Sequence, residues 1–231
     1  MRNIFKISAY SLLILSSLSS CEDPQAVPDV NEIGGYVYLE DQIISSFDEG
    51  VDLNLNLFTK SGITFNSIDI ESGDINSTAV ISGDMATFNT DFLGDLEIDD
   101  SYELNIISAF SNGKTAGDFF PLDVISPISV SEDPIDANLS TLPNTTLEYE
   151  TFTLKATINS INLAIKKNKN GTYVDSGLAS LDVTGGEINV EDTNYASLNL
   201  AIEDTLYYKF TAMSGSLSEE AENYIAIVPE D

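Results

Sequence analysis

A two-residue hydrophobic period constrains this chain more than any other feature. In Val51-Asp52-Leu53-Asn54-Leu55-Asn56-Leu57 four aliphatics alternate with three polar residues. Only an extended strand places every second side chain on one face, so the run predicts a half-buried β-strand. Similar runs occupy 36–39, 68–70, 78–81, 85–88, 102–109 and 119–124. Between them lie turn sequences such as Ser72-Gly73-Asp74 and Ser82-Gly83-Asp84, whose residues tolerate or cap tight backbone. No stretch after the leader holds a sustained 3.6 period, so helix is expected only as single short turns.

The second half of the sequence repeats the first. Ile98-Asp99-Asp100-Ser101-Tyr102-Glu103-Leu104-Asn105-Ile106 aligns with Ile202-Glu203-Asp204-Thr205-Leu206-Tyr207-Tyr208-Lys209-Phe210 at an offset of 104 residues. Upstream, Asn66-Ser67-Ile68-Asp69-Ile70 aligns with Asn159-Ser160-Ile161-Asn162-Leu163 at an offset of 93. Two ordered matches predict two related all-β domains, 32–126 and 127–231, with an extra hairpin in the second. Ser126-Pro127 and Asp133-Pro134 mark a stiff join between them. A two-sheet sandwich suits this strand density better than a barrel.

Composition restricts function more sharply than it suggests one. An apolar content of 42% argues for a folded core despite a formal charge of −29. That charge repels phosphate backbones, so nucleic-acid partners are excluded, and it makes stability rise with salt. There is no histidine, which removes Ser-His-acid catalysis, imidazole metal sites and the usual proton shuttle near neutral pH. The single cysteine, Cys21, permits no internal disulfide. Paired carboxylates remain, but among 38 acids such pairs arise by accident, so the chain reads as non-enzymatic and without a resident cofactor.

Three resemblances follow from particular residues. Met1 to Cys21 has cationic Arg2 and Lys6, an apolar run too short to span a bilayer, and then Leu18-Ser19-Ser20-Cys21. This resembles a bacterial lipoprotein signal, which implies removal of residues 1–20, acylation of Cys21 and a membrane partner through that lipid. The acidic, proline-bearing tether 21–31 resembles the export signals of Bacteroidota surface lipoproteins, which implies the outer face of the outer membrane, with the periplasmic face as the alternative. Finally, an acidic turn leading into an alternating strand and a Gly-bearing turn resembles the E–F corner and F strand of immunoglobulin-like and fibronectin type III-like sandwiches. That implies a tyrosine corner at Tyr102 with Leu104 and Ile106 inward; the second copy departs with Leu206.

Candidate site residues are few. Asp91, Asp95, Asp99 and Asp100 at the first corner, and Asp133, Asp136 and Asn138 at the expected domain join, are oxygen donors that suit calcium, although a solvated acidic surface explains the same letters. Lys166, Lys167 and Lys169 gather before Asn170-Gly171, as a contact for an acidic partner or as guards of an edge strand. Without tryptophan, sugar stacking would fall to Tyr173, Tyr195 and Tyr207, although such tyrosines also pack at sheet margins. Asp204-Thr205-Leu206 resembles a Bacteroidota O-glycosylation motif, implying a glycan on Thr205. The whole layout resembles accessory outer-membrane lipoproteins, including those accompanying glycan uptake. The expected function is therefore a non-catalytic binding or spacer module; the alternatives are a protein-binding adhesion or assembly role, or a calcium-stiffened spacer.

Overall fold

The computed structural model describes residues 33–178 and 181–230, so Cys21, the leader 1–20 and the tether 21–31 lie outside the described residues. The alternating runs become β1 (Gly35–Leu39), β2 (Ile43–Ser45), β3 (Asp52–Thr59), β4 (Phe65–Ser72), β5 (Ile75–Thr78), β6 (Val80–Ser82), β7 (Met85–Asn89), β8 (Ser101–Phe110) and β9 (Thr115–Ile125). They build two facing sheets, β1-β3-β7-β6 and β2-β9-β8-β4-β5. In sandwich lettering these are A-B-E-D and A′-G-F-C-C′. Leu53, Leu55, Ile68, Ile70, Leu104 and Ile106 are fully buried between them. The expected run 78–81 is divided at Ala79, where the chain leaves β5 in one sheet and enters β6 in the other.

The second sandwich holds β10 (Ile128–Val130), β11 (Ile135–Ala137), β12 (Thr146–Thr151), β13 (Ser160–Lys167), β14 (Val174–Asp175), β15 (Gly186–Asn189), β16 (Thr205–Ser214) and β17 (Leu217–Ile227). Its sheets run β10-β12-β15 and β11-β17-β16-β13-β14, which is A-B-E and A′-G-F-C-C′. Among the described residues no strand stands in the D position. The chain is thus two tandem immunoglobulin-like sandwiches. The extra hairpin expected here is absent from the described residues: the added length lies in loops and in the short helix α1 (Asp192–Tyr195).

Repeat offsets read from sequence reappear as strand register. Ile68 pairs with Ser108 and Ile70 with Ile106 in the first sandwich. Ile161 pairs with Ala212 and Leu163 with Phe210 in the second. The E–F corners also match. Asp99 and Glu203 both take positive φ, 69° and 74°, and their N–H groups donate to Val124 and Ile227 carbonyls at 2.9 Å. The tyrosine corner is altered, because the Tyr102 hydroxyl donates to the Asp100 carboxylate at 3.4 Å instead of to backbone. Its equivalent Leu206 is buried.

The two sandwiches meet away from the prolines that separate them in sequence. After β2 the chain turns at Ser46-Phe47-Asp48, and Phe47 joins the buried core of the second sandwich. Burying that ring contributes about 2–3 kcal/mol. Leu154, in the loop after β12, packs back on the first core. Between them the buried Asp48 carboxylate accepts the N–H groups of Leu154 at 2.9 Å and of Lys155 and Ala156 at 2.8 Å. The Ser45 N–H and hydroxyl also donate to it, at 2.9 and 2.7 Å. Burial alone would raise the Asp48 pKa, but these donors outweigh it and hold the group below its ordinary 3.8.

Candidate ligand-binding face

On β16, Leu206, Tyr208 and Phe210 point into the core, so Thr205, Tyr207 and Lys209 point outward by the strand's alternation. Register places Lys166 of β13 and Tyr224 of β17 on either side of Tyr207. Lys209 likewise faces Glu222. Tyr173, just before β14, leans over the same face. The Lys166 ammonium lies 4.2 Å from the Tyr173 ring centre, 5.0 Å from that of Tyr207 and 3.6 Å from the Glu222 carboxylate. Lys209 lies 4.7 Å from the Tyr173 ring and 2.7 Å from Glu220.

These contacts make a set of preorganised rings with balanced charge. The Lys166 side chain is only 11% exposed, unusual for an outward lysine, because two tyrosine rings cover it. The Tyr173 hydroxyl donates to Glu222, and burial together with that acid pushes its pKa well above the ordinary phenol range. Tyr207 and Tyr224 lie with ring centres 5.4 Å apart. The face can stack and hydrogen-bond a ligand, with little side-chain ordering left to be done on binding.

Two of the three expected tyrosines therefore come together, and the third does not. Tyr195 is buried at the end of α1, where its hydroxyl donates to Asp192 at 2.5 Å. Burial and that carboxylate raise its pKa well above the usual value. Thr205 begins β16 on the same face as Tyr207, half-buried, and its N–H donates to the Asn168 side chain at 2.8 Å. β13 lies between β16 and β14, but β14 pairs only with Ala164 and Ile165, so among the described residues Lys166 and Lys167 have a strand partner on the β16 side alone. Lys167 pairs with Asp204 at 2.6 Å, and the hydrogen bonds from Lys167 and Asn168 hold the Asp204 pKa at about 2. Lys169 is exposed in the turn that follows.

The expected calcium ligands serve as turn elements. Asp91 donates its N–H to Asn89 at the start of a 3-10 turn, and Asp95 is exposed on the loop after it. Asp99 and Asp100 shape the corner, with the Asp100 carbonyl accepting the Val124 N–H at 2.8 Å. The Asn138 side-chain oxygen already accepts from Ser140 N–H, Ser140 hydroxyl and Thr141 N–H. Asp136 lies exposed on β11, while the Asp133 carbonyl accepts from Asn223 at 3.1 Å. Among the described residues no group of three or more acidic side chains converges on a common point. The hydrogen bonds to the Asp48 carboxylate come from Ser45 and from Leu154, Lys155 and Ala156, not from either cluster.

Sequence reasoning missed Lys209, Glu222 and Tyr224 as members of the face. Lys209 shares the parity of Tyr207 on one strand and was legible in that way, whereas Glu222 and Tyr224 were hidden until the pairing of β16 and β17 was known.

No known family profile matches the chain, and no curated protein matches it. Among solved structures it is similar to the fibronectin(III)-like modules of Clostridium thermocellum CbhA, at 12% identity over 84% of this chain and 94% of that one, TM-score 0.28. It is similar to a chimeric titin Z1Z2 at 9% identity over 86% and 99%, TM-score 0.32. A tetra-tandem repeat from the extending region of a large adhesion protein gives 17% identity over 83% and 49%, TM-score 0.30. Likeness at this level transfers no activity or ligand. The fold assignment stands on the strand pairing itself.

Proposed function

We propose that this protein is a non-catalytic, lipid-anchored module of the bacterial outer membrane that captures glycan on the outer C′-C-F-G face of its second sandwich. One observation carries the binding surface. The same sheet register holds Tyr207, Lys209 and Tyr224 in the second sandwich but Glu103, Asn105 and Pro121 in the first, so the fold does not require the aromatic-lysine set. Tyrosine rings with hydroxyl and carboxylate neighbours are suited to the amphipathic faces of sugars. The lipoprotein-like leader ending at Cys21 supports the anchoring, and a surface-facing position would give the face access to ligand.

A glycan array probed with the purified full-length product tests the reading. Binding that falls about tenfold in Tyr207→Ala and Tyr173→Ala, with unchanged melting temperature, is the expected result. Silence across the array would refute glycan capture and leave a protein partner. Anchoring is tested separately: Cys21→Ser should move the protein from the membrane to the soluble fraction, and unchanged fractionation would overturn it.

A further inference from the structure

The first sandwich carries a surface of quite different character on its A-B-E-D sheet. Outward on β1 are Tyr36 and Tyr38, and outward on β3 are Asn54, Asn56 and Phe58. Thr87 of β7 lies opposite Asn54. The stretch from Tyr36 and Phe58 to Tyr38, Asn56 and Met85 carries no outward Asp, Glu, Lys or Arg; acids stand only at one end of it, where exposed Glu40 lies opposite Asn54 and Asp52 precedes Asn54 on the same face of β3. The other sheet of the same sandwich points Asp69, Glu71, Glu103 and Asp123 outward. The corresponding sheet of the second sandwich points Glu148, Glu150 and Glu187 outward. On a chain with formal charge −29, an aromatic and amide patch whose acids are confined to one end differs from the acid-bearing faces of the other sheets.

Its aromatic groups are exposed yet held in place. Tyr38 is 48% and Phe58 45% exposed. The Tyr36 and Phe58 rings stack at 4.7 Å and 12°, and Phe120 from the opposite sheet meets the Tyr38 ring edge-on at 6.2 Å. Two amides, Asn54 and Asn56, lie half-buried between the rings and the Thr87 hydroxyl. An amide both donates and accepts, as a sugar hydroxyl does, while a flat aromatic surface stacks on a pyranose ring. The face is open and flat, as a sheet surface is, so its complement is an extended chain.

We propose that this face binds an uncharged polysaccharide chain. An anionic polymer would be repelled by the molecule's overall field, and a cationic one would meet acids, Glu40 and Asp52, only at one end of the patch and none among its rings. An apolar protein partner would bury Asn54 and Asn56 against groups unable to satisfy them. The proposal is independent of the tyrosine-lysine face, because the residues belong to the other sandwich and can be changed separately.

Native affinity electrophoresis of the purified full-length product in gels containing neutral polysaccharides tests it. The probes are xyloglucan, galactomannan, mannan and a mixed-linkage β-glucan, with polygalacturonate as the anionic comparison. Retardation is expected from at least one neutral polymer and not from polygalacturonate. It should weaken about tenfold in Tyr38→Ala and in Phe58→Ala, whose side chains are exposed enough to leave folding intact. It should persist in Tyr207→Ala, in Phe119→Ala on the other sheet, and in 0.5 M salt, roughly three times physiological ionic strength. The inference is overturned by the absence of retardation in all four neutral gels, by retardation that survives both aromatic variants, or by salt-sensitive retardation. A dimer in sedimentation that Phe58→Ala dissociates would also overturn it, by showing a second copy on this face.

Discussion

The Asp48 carboxylate of the first sandwich accepts the backbone N–H of Ala156 in the second at 2.8 Å, across 108 residues of sequence. With Leu154 and Lys155 donating as well, three consecutive amides of one domain converge on a single buried acid of the other. Replacing Asp48 by Ala strands these amides and should cost about 3 kcal/mol, read as a lower denaturation midpoint. Small-angle scattering of the variant should also show a wider distribution of interdomain distances. An unchanged distribution would mean that Phe47 alone holds the contact.

The pH dependence of this contact has a definite sign. Asp48 titrates below its ordinary 3.8 in the folded protein, so its contribution is complete above that pH and is lost as pH falls through the lower folded value. The stability difference between wild type and Asp48→Asn should therefore be constant from pH 7 to about 5 and shrink below pH 3.8. A difference that grows on acidification would contradict the assignment.

Asp118 points the other way. Burial raises its pKa, and one N–H, from Val37 at 3.3 Å, offsets only part of that. Ionised Asp118 thus costs stability at neutral pH, and the cost disappears as pH falls below the unfolded value. Asp118→Asn, whose amide oxygen can still accept from Val37, should raise the melting temperature at pH 7 and give no gain at pH 3. Thermal scans at the two pH values decide it.

Ser108 and Ala212 occupy equivalent places on β8 and β16. The Ser108 hydroxyl is fully buried and has no hydrogen-bond partner. Ser108→Ala should therefore stabilise the protein by about 1 kcal/mol, measured by urea unfolding, and a loss of stability would indicate an unseen partner for the hydroxyl.

Much of this architecture was legible because burial imposes a period of two. Val51 to Leu57 had to be a strand, and the aligned runs at Ile98 and Ile202 had to occupy equivalent strands once both ended at the same kind of corner. The acids of those corners looked like metal ligands for the same reason, since Asp and Asn supply both turn chemistry and oxygen donors. Tyr173 and Tyr207 were found through residue type alone, whereas the faces they share with Glu222, or that Tyr38 shares with Asn56, depend on register between distant strands. The prolines of 126–134 mark where the chain passes between the domains and say nothing of where the domains touch. The contact's one local trace was Phe47, an aromatic in an otherwise polar turn, and no local rule says which core an exposed turn will enter.

Phe47 also sets an order of events. A chain made from its amino end completes the first sandwich while the second is still unfolded, and for that interval the ring and the Asp48 carboxylate stand without their docking partner. The half-made molecule therefore presents a ring and a carboxylate that the finished one hides, and the 154–156 loop of a neighbouring copy fits the same vacancy. Exchange of that kind between copies is the assembly error this contact invites.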